Sequence, residues 1–157
     1  MKKQVSKKTT GFTITEILVA LAIVAIMSTV IAINFLGKTE EAKFTRVKGD
    51  LTNLQSALMS YYNDNGFFPT TDQGLDALVR RPTQDPIPNN YQKGGYISGG
   101  GVVNDPWGKP YQYISPGVEN DYDLFSMGKD GRPGGEGQFQ DISVWNMNAI
   151  NFNAENQ

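Results

Sequence analysis

Apolar residues crowd into the first quarter of the chain, where a nearly unbroken run extends from Phe12 to Leu36. The polar side chains within this run are Thr13, Thr15, Glu16, Ser28, Thr29 and Asn34. As an α-helix the run would measure about 37 Å, and the hydrocarbon core of a membrane is roughly 30 Å thick. The pattern therefore predicts a transmembrane helix over residues 12–36.

Beyond Gly37 the apolar residues become periodic. They recur at steps of three and four residues, which is the spacing of one helical face. The positions are Phe44, Val47, Leu51, Leu54, Leu58 and Tyr61. We therefore expect one helix from about Phe12 to Asn63, whose second half packs its apolar face inside a folded domain. The sequence "NDNG" at 63–66 is a typical helix stop.

Short elements are predicted for the rest of the chain. Thr70 and Gln73 have the spacing of a capping box ahead of a short helix that ends before Pro82. Residues 82–110 are rich in Pro, Gly, Asn and Asp, which favours an irregular loop.

Three strands follow, at residues 111–114, 122–127 and 142–145, separated by turn-forming residues. The predicted fold class is α+β, with a long N-terminal helix packed on a small antiparallel β-sheet. The Asn-rich end, residues 147–157, has little to bury and is predicted to be a flexible polar tail.

Composition narrows the possible functions. The 157 residues include no Cys and no His, which removes thiol nucleophiles, disulfides and imidazole acid–base chemistry. Most enzyme mechanisms thereby lose their commonest catalytic groups, which favours a protein that is not an enzyme. The lysines ahead of the apolar run favour a cytoplasmic N-terminus and an external C-terminal domain. A secretory signal peptide is the alternative, but its apolar stretch is shorter and ends in a small-x-small cleavage site.

Glu16 is the unexpected residue in the apolar run. An ionised side chain at the centre of a membrane costs about 2.5 to 3.5 kcal/mol. Two explanations are open. Glu16 could be stabilised by the helix dipole near the helix start. Alternatively, cleavage after Gly11 would create a new amine on Phe12, with which Glu16 of a neighbouring subunit could pair.

The segment "KKTTGFTITEILVALAIVAI" resembles the class III signal of type IV pilins and pseudopilins. The resemblance implies that residues 1–11 are a leader cut after Gly11 by a prepilin peptidase, that Phe12 is then methylated, and that the helices pack as a filament core with Glu16 as an assembly residue. Two positions depart from the common pattern. Thr15 precedes Glu16 where a large apolar residue is common, and Ile33 stands where many relatives carry Pro.

Four further segments, "FPTTDQGLDAL", "GGYI", "DPWGKPYQY" and "YDLFSMGKDG", resemble the major pseudopilins of type II secretion systems. This implies a type IV pilin-like fold, with residues 37–146 as a periplasmic domain on the inner membrane of a Gram-negative bacterium. The implied partners are copies of the same chain, minor pseudopilins, the prepilin peptidase, the inner-membrane assembly platform and, indirectly, the outer-membrane secretin.

Two alternatives remain at this stage. One is a surface type IV pilin for adhesion, motility or DNA uptake, but those pilins usually end in a disulfide-closed loop that a chain without Cys cannot form. The other is a membrane-tethered periplasmic enzyme or binding module, which would need neither Glu16 nor the Gly11–Phe12 junction.

A metal site is predicted near the end of the chain. Asp130 and Asp141 lie in a Gly-rich segment, and carboxylates with carbonyl oxygens suit calcium, although such a segment is also typical of a plain solvated loop. The family resemblance implies calcium ligands at the carbonyl of Met127, at Asp130, at the carbonyl of Arg132 or Pro133, and at Asp141. Relatives usually carry another acid just before the last one, where this chain has Phe139 and Gln140; the Gln140 carbonyl is the expected substitute.

Charge and aromatic residues add two smaller expectations. Loss of the leader would remove four of the 14 basic residues and leave 10 against 16 acids, a net charge of about −6. No basic footprint for nucleic acid is therefore expected. Trp107 and Trp145 could be binding residues, but we expect them to pack against the small core.

Overall fold

A single long helix, α1, dominates the computed structural model, which describes residues 11–99 and 101–150. The side chains of residues 29–38 and 138 lie outside this description. Helix α1 extends over Ile14–Asn65, which is 52 residues. The chain divides into two compact units, Met1–Thr39 and Glu40–Gln157. The helix begins and ends two residues later than predicted.

The end of α1 has a clear local cause. The amide of Gly66 donates to the carbonyl of Tyr62 at 2.7 Å, and the Asn65 side chain donates to the carbonyl of Tyr61 at 2.9 Å. Gly66 has φ of 80°, the left-handed conformation that glycine adopts most easily. The predicted stop at 63–66 is therefore confirmed.

The apolar face of the second half of α1 forms the centre of the core. All six residues of the predicted stripe are buried, and Val47, Leu51, Leu58 and Tyr61 are 0% exposed. They pack in one cluster with residues of the strands and of the short helix, among them Leu78, Leu124 and Ile142. The predicted seam between helix and domain is confirmed.

The predicted hydrogen bonds between Thr70 and Gln73 form, but they close a turn ahead of the short helix, whose own N-cap is Gly74 without a side-chain cap. The Thr70 amide donates to Gln73 Oε1 at 3.1 Å, and the Gln73 amide donates to Thr70 Oγ1 at 3.3 Å. The helix that follows is a 3-10 turn, Leu75–Leu78. From 82 to 110, the described residues contain no helix or strand.

Three antiparallel strands form the sheet in the order β1-β2-β3. They are β1 (Gln112–Ile114), β2 (Asp123–Ser126) and β3 (Ile142–Ser143). Tyr113 of β1 pairs with Leu124 of β2, and Ser126 of β2 pairs with Ile142 of β3.

All three strands are shorter than the sequence predicted. β2 ends before Met127 because the carbonyl of Met127 accepts a turn hydrogen bond from Gly131 at 3.2 Å. β3 ends early because the chain turns back at Ser143, whose carbonyl accepts from Met147 at 2.9 Å.

The predicted tail begins too early. Met147 is 7% exposed and belongs to the core cluster, against which Ile150 also packs. The Lys48 ammonium donates to the carbonyl of Ile150 at 3.2 Å. Packed structure therefore extends to Ile150, and the rest of the predicted tail, residues 151–157, lies outside the described residues.

Among the described residues, no helix is both long enough and apolar enough to qualify as a membrane span. The span predicted over 12–36 includes side chains 29–36, which lie outside the description, and it stays a prediction. Residues 1–10 of the predicted leader, which comprises residues 1–11, also lie outside the described residues.

Candidate assembly site and candidate metal site

The first turns of α1 carry a dense apolar surface. Phe12 is 83% exposed and Ile14 is 81% exposed. The apolar residues that follow are also exposed, namely Ile17, Leu18, Val19, Leu21, Ile23, Val24, Ile26 and Met27. An exposed apolar surface of this extent marks an interaction site with lipid or with other protein. Gly11 and Phe12, the predicted processing residues, lie just before the helix.

Glu16 caps the start of α1 within its own chain. Glu16 Oε2 accepts from the Thr13 amide at 2.9 Å and from the Thr13 hydroxyl at 2.8 Å. The Glu16 amide donates in return to Thr13 Oγ1 at 3.3 Å. This reciprocal pattern is a capping box with Thr13 as the N-cap. In the single chain, therefore, Glu16 is held by hydrogen bonds at the helix start, and its stabilisation by the helix dipole stays a prediction.

The capping role of Thr13 was not predicted from the sequence. The signal was present, because Thr13 and Glu16 have the same T-x-x-E/Q spacing that identified Thr70 and Gln73. The pairing of Glu16 with a neighbouring amine stays a prediction.

The candidate metal loop, residues 127–141, folds back on itself through close backbone contacts. A Cβ placed on Gly128 would lie 2.8 Å from the carbonyl oxygen of Gln140, and one on Gly135 would overlap the carbonyl of Phe139. Gly128 has φ of 64°, which other residues rarely adopt. Gly128 thus lets the backbone next to Met127 approach the backbone of Gln140, whereas the predicted ligand at Gln140 is its side-chain carbonyl.

Asp141 is the most suitable ligand in the loop. Its Oδ2 accepts from the Gly134 amide at 2.8 Å, while its Oδ1 is buried without a hydrogen-bond partner among the described residues. A buried carboxylate oxygen without a partner is costly and would be satisfied by a cation. Asp141 therefore fits the role of one ligand to a hard metal ion.

The other predicted ligands are less clearly assembled. Asp130 Oδ1 accepts from the Arg132 amide at 3.2 Å, which forms a local turn and leaves the second oxygen for other partners. Within the described residues, no group of three or more Asp, Glu, His or Cys side chains gathers for a metal. Backbone carbonyls would have to complete the coordination.

Asp105, which was not among the predicted site residues, organises the turn beside this loop. It is 3% exposed, and its Oδ1 accepts from the amides of Trp107 at 3.1 Å and Lys109 at 2.8 Å. Its Oδ2 accepts from the Ser126 hydroxyl at 2.7 Å. The spacing D-x-W-x-K, with Gly at the fourth position, is a signal for a turn closed by an Asp side chain.

Glu40 joins the beginning of the globular unit to this turn. It accepts from the Lys43 ammonium at 3.0 Å and from Trp107 Nε1 at 3.4 Å, with the Lys129 ammonium at 3.9 Å. Although partial burial works against ionisation, these partners hold the pKa of Glu40 below its usual value. The carboxylate therefore stays ionised at neutral pH and links helix, turn and loop.

Both tryptophans pack as expected. The Trp107 ring meets the Phe44 ring edge-on, with the centroids 5.7 Å apart. Trp145 is half-exposed but lies 5.5 Å from the Tyr122 ring and donates its indole N–H to the Tyr122 carbonyl at 3.1 Å.

A long N-terminal helix with an exposed apolar start, whose second half forms a core with a small antiparallel sheet, defines a type IV pilin-like protein. Comparison with solved structures agrees. The chain is similar to the crystal structure of the major pseudopilin from the type 2 secretion system of enterohaemorrhagic Escherichia coli, with a TM-score of 0.63 and 43% identity, over 74% of this chain and 92% of that one.

Residues 34–145 match the family described as type II secretion system protein G, and residues 6–32 match the prokaryotic N-terminal methylation motif. The chain belongs to the type II secretion system protein G family, the major pseudopilins. This is a family of structural proteins rather than of enzymes.

Curated relatives support the same assignment. The type II secretion system core protein G of Vibrio cholerae is 46% identical over 94% of this chain and 97% of its own length. The protein of the same description from Pseudomonas aeruginosa is 41% identical over 88% of this chain and 96% of its own length.

Proposed function

We propose that this chain is cut after Gly11, is anchored in the inner membrane by the first half of α1, and polymerises into a periplasmic pseudopilus that drives the export of folded proteins. The observation that carries the proposal is the family match over residues 34–145 together with the methylation motif over 6–32. The exposed apolar start of α1 supports the same conclusion, since it needs lipid or neighbouring helices to cover it.

The partners follow from this role. A subunit of this kind contacts copies of itself along the helix. It is processed by the prepilin peptidase, is extracted by the inner-membrane assembly platform, and works with minor pseudopilins beneath the outer-membrane secretin. The four lysines of the leader favour an N-terminus on the cytoplasmic side.

Glu16 has two roles in this proposal, one before and one after assembly. In the single chain it belongs to the capping box with Thr13. In the filament its charge pairs with the new amine of Phe12 on the adjacent subunit, which offsets the cost of placing a carboxylate among apolar helices.

Glu16→Gln and Glu16→Ala separate these roles, because glutamine also serves in a capping box but carries no charge. We expect both variants to lose filament yield by about tenfold or more, since loss of a buried charge pair costs more than about 1.4 kcal/mol. Filaments sheared from cells and quantified by immunoblot give the yield, and mass spectrometry of the N-terminus checks that the leader is still removed.

Thr13→Val is the matched control, because it removes the capping hydroxyl and leaves the charge of Glu16. We expect it to assemble. If Glu16→Gln instead assembled at wild-type yield while Thr13→Val failed, capping would be the essential role and charge pairing would be refuted.

We further propose that loop 127–141 binds calcium through the carboxylates of Asp130 and Asp141. The backbone carbonyls of Met127 and Arg132 and the side-chain carbonyl of Gln140 complete the ligands. The buried, unpartnered Oδ1 of Asp141 supports this. When bound, calcium supplies a double positive charge that satisfies several oxygens at once.

Thermal melting of the full-length mature protein in detergent tests the calcium proposal. The fluorescence of Trp107 and Trp145 reports the unfolding. Calcium is expected to raise the melting temperature relative to chelator, by an amount that grows with the logarithm of its concentration. Asp141→Asn should remove most of this shift. Identical melting temperatures in calcium and chelator would contradict the site.

A further inference from the structure

Lys109 ends the turn that Asp105 organises, and the turn fixes its backbone. The Lys109 amide donates to Asp105 Oδ1 at 2.8 Å, and the Asp105 amide donates to the Lys109 carbonyl at 2.8 Å. Because Asp105 is buried and also bound to Ser126 on β2, the base of the Lys109 side chain has a defined position relative to the sheet.

From this position the side chain reaches loop 127–141. The Lys109 ammonium donates to the carbonyl of Lys129 at 3.4 Å. It also lies directly over Gly131, where a Cβ would overlap the ammonium nitrogen and the last carbons of the lysine side chain. Gly131, with φ of 65°, therefore leaves the space that the lysine occupies, and the loop is shaped around this side chain.

Among the described residues, no acid forms an ion pair with the Lys109 ammonium. The ion pairs formed among the described residues involve Lys43, Arg46, Arg80 and Lys129, and Lys109 is in none of them. The Lys109 ammonium thus places a positive charge on the carbonyl of Lys129. This carbonyl belongs to a loop whose other oxygen atoms could bind a metal ion. A calcium ion that closes a loop acts in the same way, by binding the oxygen atoms of the loop with a positive charge.

We propose that the Lys109 ammonium is a tethered cation, which closes loop 127–141 without metal and competes with calcium for it. The competition rests on the calcium site proposed above, whereas the closure does not. It also fits the loop composition, since Phe139 and Gln140 add no negative charge that would demand a divalent ion.

Two effects of opposite sign distinguish this role from ordinary packing. Loss of the ammonium should weaken the loop in chelator, because the Lys129 carbonyl loses its donor. The same change should strengthen calcium binding, because repulsion between like charges disappears. If Lys109 only packed against the loop, its replacement would lower both the stability of the loop in chelator and its affinity for calcium.

The test compares Lys109→Met, which keeps most of the aliphatic stem, with wild type as full-length mature protein in detergent. In chelator, we expect the melting temperature of Lys109→Met to fall by about 2 to 4 °C, the shift that corresponds to loss of one charge-assisted hydrogen bond in a chain of this size. In a calcium titration, its dissociation constant should fall about tenfold, as removal of one nearby like charge predicts.

Lys109→Arg and Lys93→Met are the controls. Arginine keeps the positive charge, so Lys109→Arg should have the melting temperature in chelator and the calcium affinity of the wild type. Lys93 is exposed and lies in the loop 82–110, so its replacement changes the net charge equally and should change neither quantity. Hydrogen exchange at residues 128–132 gives an independent measure of loop closure, with faster exchange expected for Lys109→Met in chelator.

The outcomes separate the two proposals. Equal melting temperatures and equal exchange for Lys109→Met and wild type in chelator would overturn the closure. Unchanged or weaker calcium binding by Lys109→Met would overturn the competition. If calcium shifted no variant, the calcium site would fail and the competition with it, while a lower melting temperature of Lys109→Met in chelator would still support the closure.

Discussion

At the scale of single residues, two buried tyrosines differ in one hydrogen bond. The hydroxyl of Tyr61 is buried without a partner among the described residues, although its ring packs against Phe67, Tyr91 and Tyr96. The hydroxyl of Tyr113 donates to the carbonyl of Pro69 at 2.8 Å. A buried polar group without a partner lowers stability, whereas a satisfied one raises it.

Tyr61→Phe and Tyr113→Phe should therefore change stability in opposite directions. We expect Tyr61→Phe to leave the free energy of unfolding unchanged or to raise it by up to about 1 kcal/mol, and Tyr113→Phe to lower it by about 1 to 2 kcal/mol. Urea unfolding of the full-length protein, followed by tryptophan fluorescence, measures both. A loss in Tyr61→Phe as large as that in Tyr113→Phe would show that the Tyr61 hydroxyl has a partner after all.

Single residues also show where sequence reasoning ends. The capping boxes at Thr13 and Thr70 are both local patterns of four residues, so both can be read from sequence. The contact of the Lys109 ammonium with the Lys129 carbonyl cannot, because it joins residues 20 positions apart in the chain and depends on the path that the turn takes over the sheet.

At the scale of elements, the helix was more predictable than the strands. Its buried stripe from Phe44 to Tyr61 follows from period alone, since 3.6 residues per turn fixes one face over many turns. The strands are two to four residues long, too short for an alternating pattern to define their ends. Tyr122 and Val144 are buried like strand residues but lie outside the ladders.

The segment after Trp145 is an element that the family match does not cover, since the match ends at that residue. Met147 is buried and Ile150 is partly buried. In addition, the Asn146 side chain donates to the carbonyl of Asp141 at 3.2 Å and accepts from the Ser143 amide at 2.8 Å. The segment therefore ties the candidate metal loop to the core.

Truncation tests this function of the segment. A chain that ends at Trp145 should lose about 2 to 4 kcal/mol of stability, because Met147 and Ile150 no longer cover the core. A chain that ends at Ile150 is the matched control and should unfold like wild type. Chemical unfolding of both chains checks this, and equal midpoints would show that residues 146–150 add nothing.

At the scale of the whole molecule, the tyrosines predict a limit at alkaline pH. Burial raises the pKa of Tyr61 and of Tyr113 to about 12. The pKa of Tyr111 is also raised, first by burial and then by its hydrogen bond to Asp50. These groups stay neutral in the folded protein at a pH where the unfolded chain already ionises its tyrosines, at about pH 10.

Because the folded protein holds these protons more tightly than the unfolded chain, the free energy of unfolding falls as the pH rises above about 10. The contribution of each such tyrosine is complete below pH 10 and is lost as pH rises towards the folded pKa, with a slope of at most about 1.4 kcal/mol per pH unit. We expect the free energy of unfolding to change little between pH 8 and about 9.5 and to fall between about 10 and 12. Urea unfolding across this range measures it, and Tyr113→Phe should show a shallower fall. A constant midpoint up to pH 11.5 would contradict the burial of these groups.

The short strands have a further consequence for a protein that is meant to polymerise. Exposed sheet edges can capture strands of other molecules and start amyloid-like aggregation. Here the outer strands β1 and β3 have only three and two residues, too few to template a foreign strand. The sheet edges are therefore poor sites for strand pairing between molecules, and a high local concentration of the protein does not favour aggregation through them.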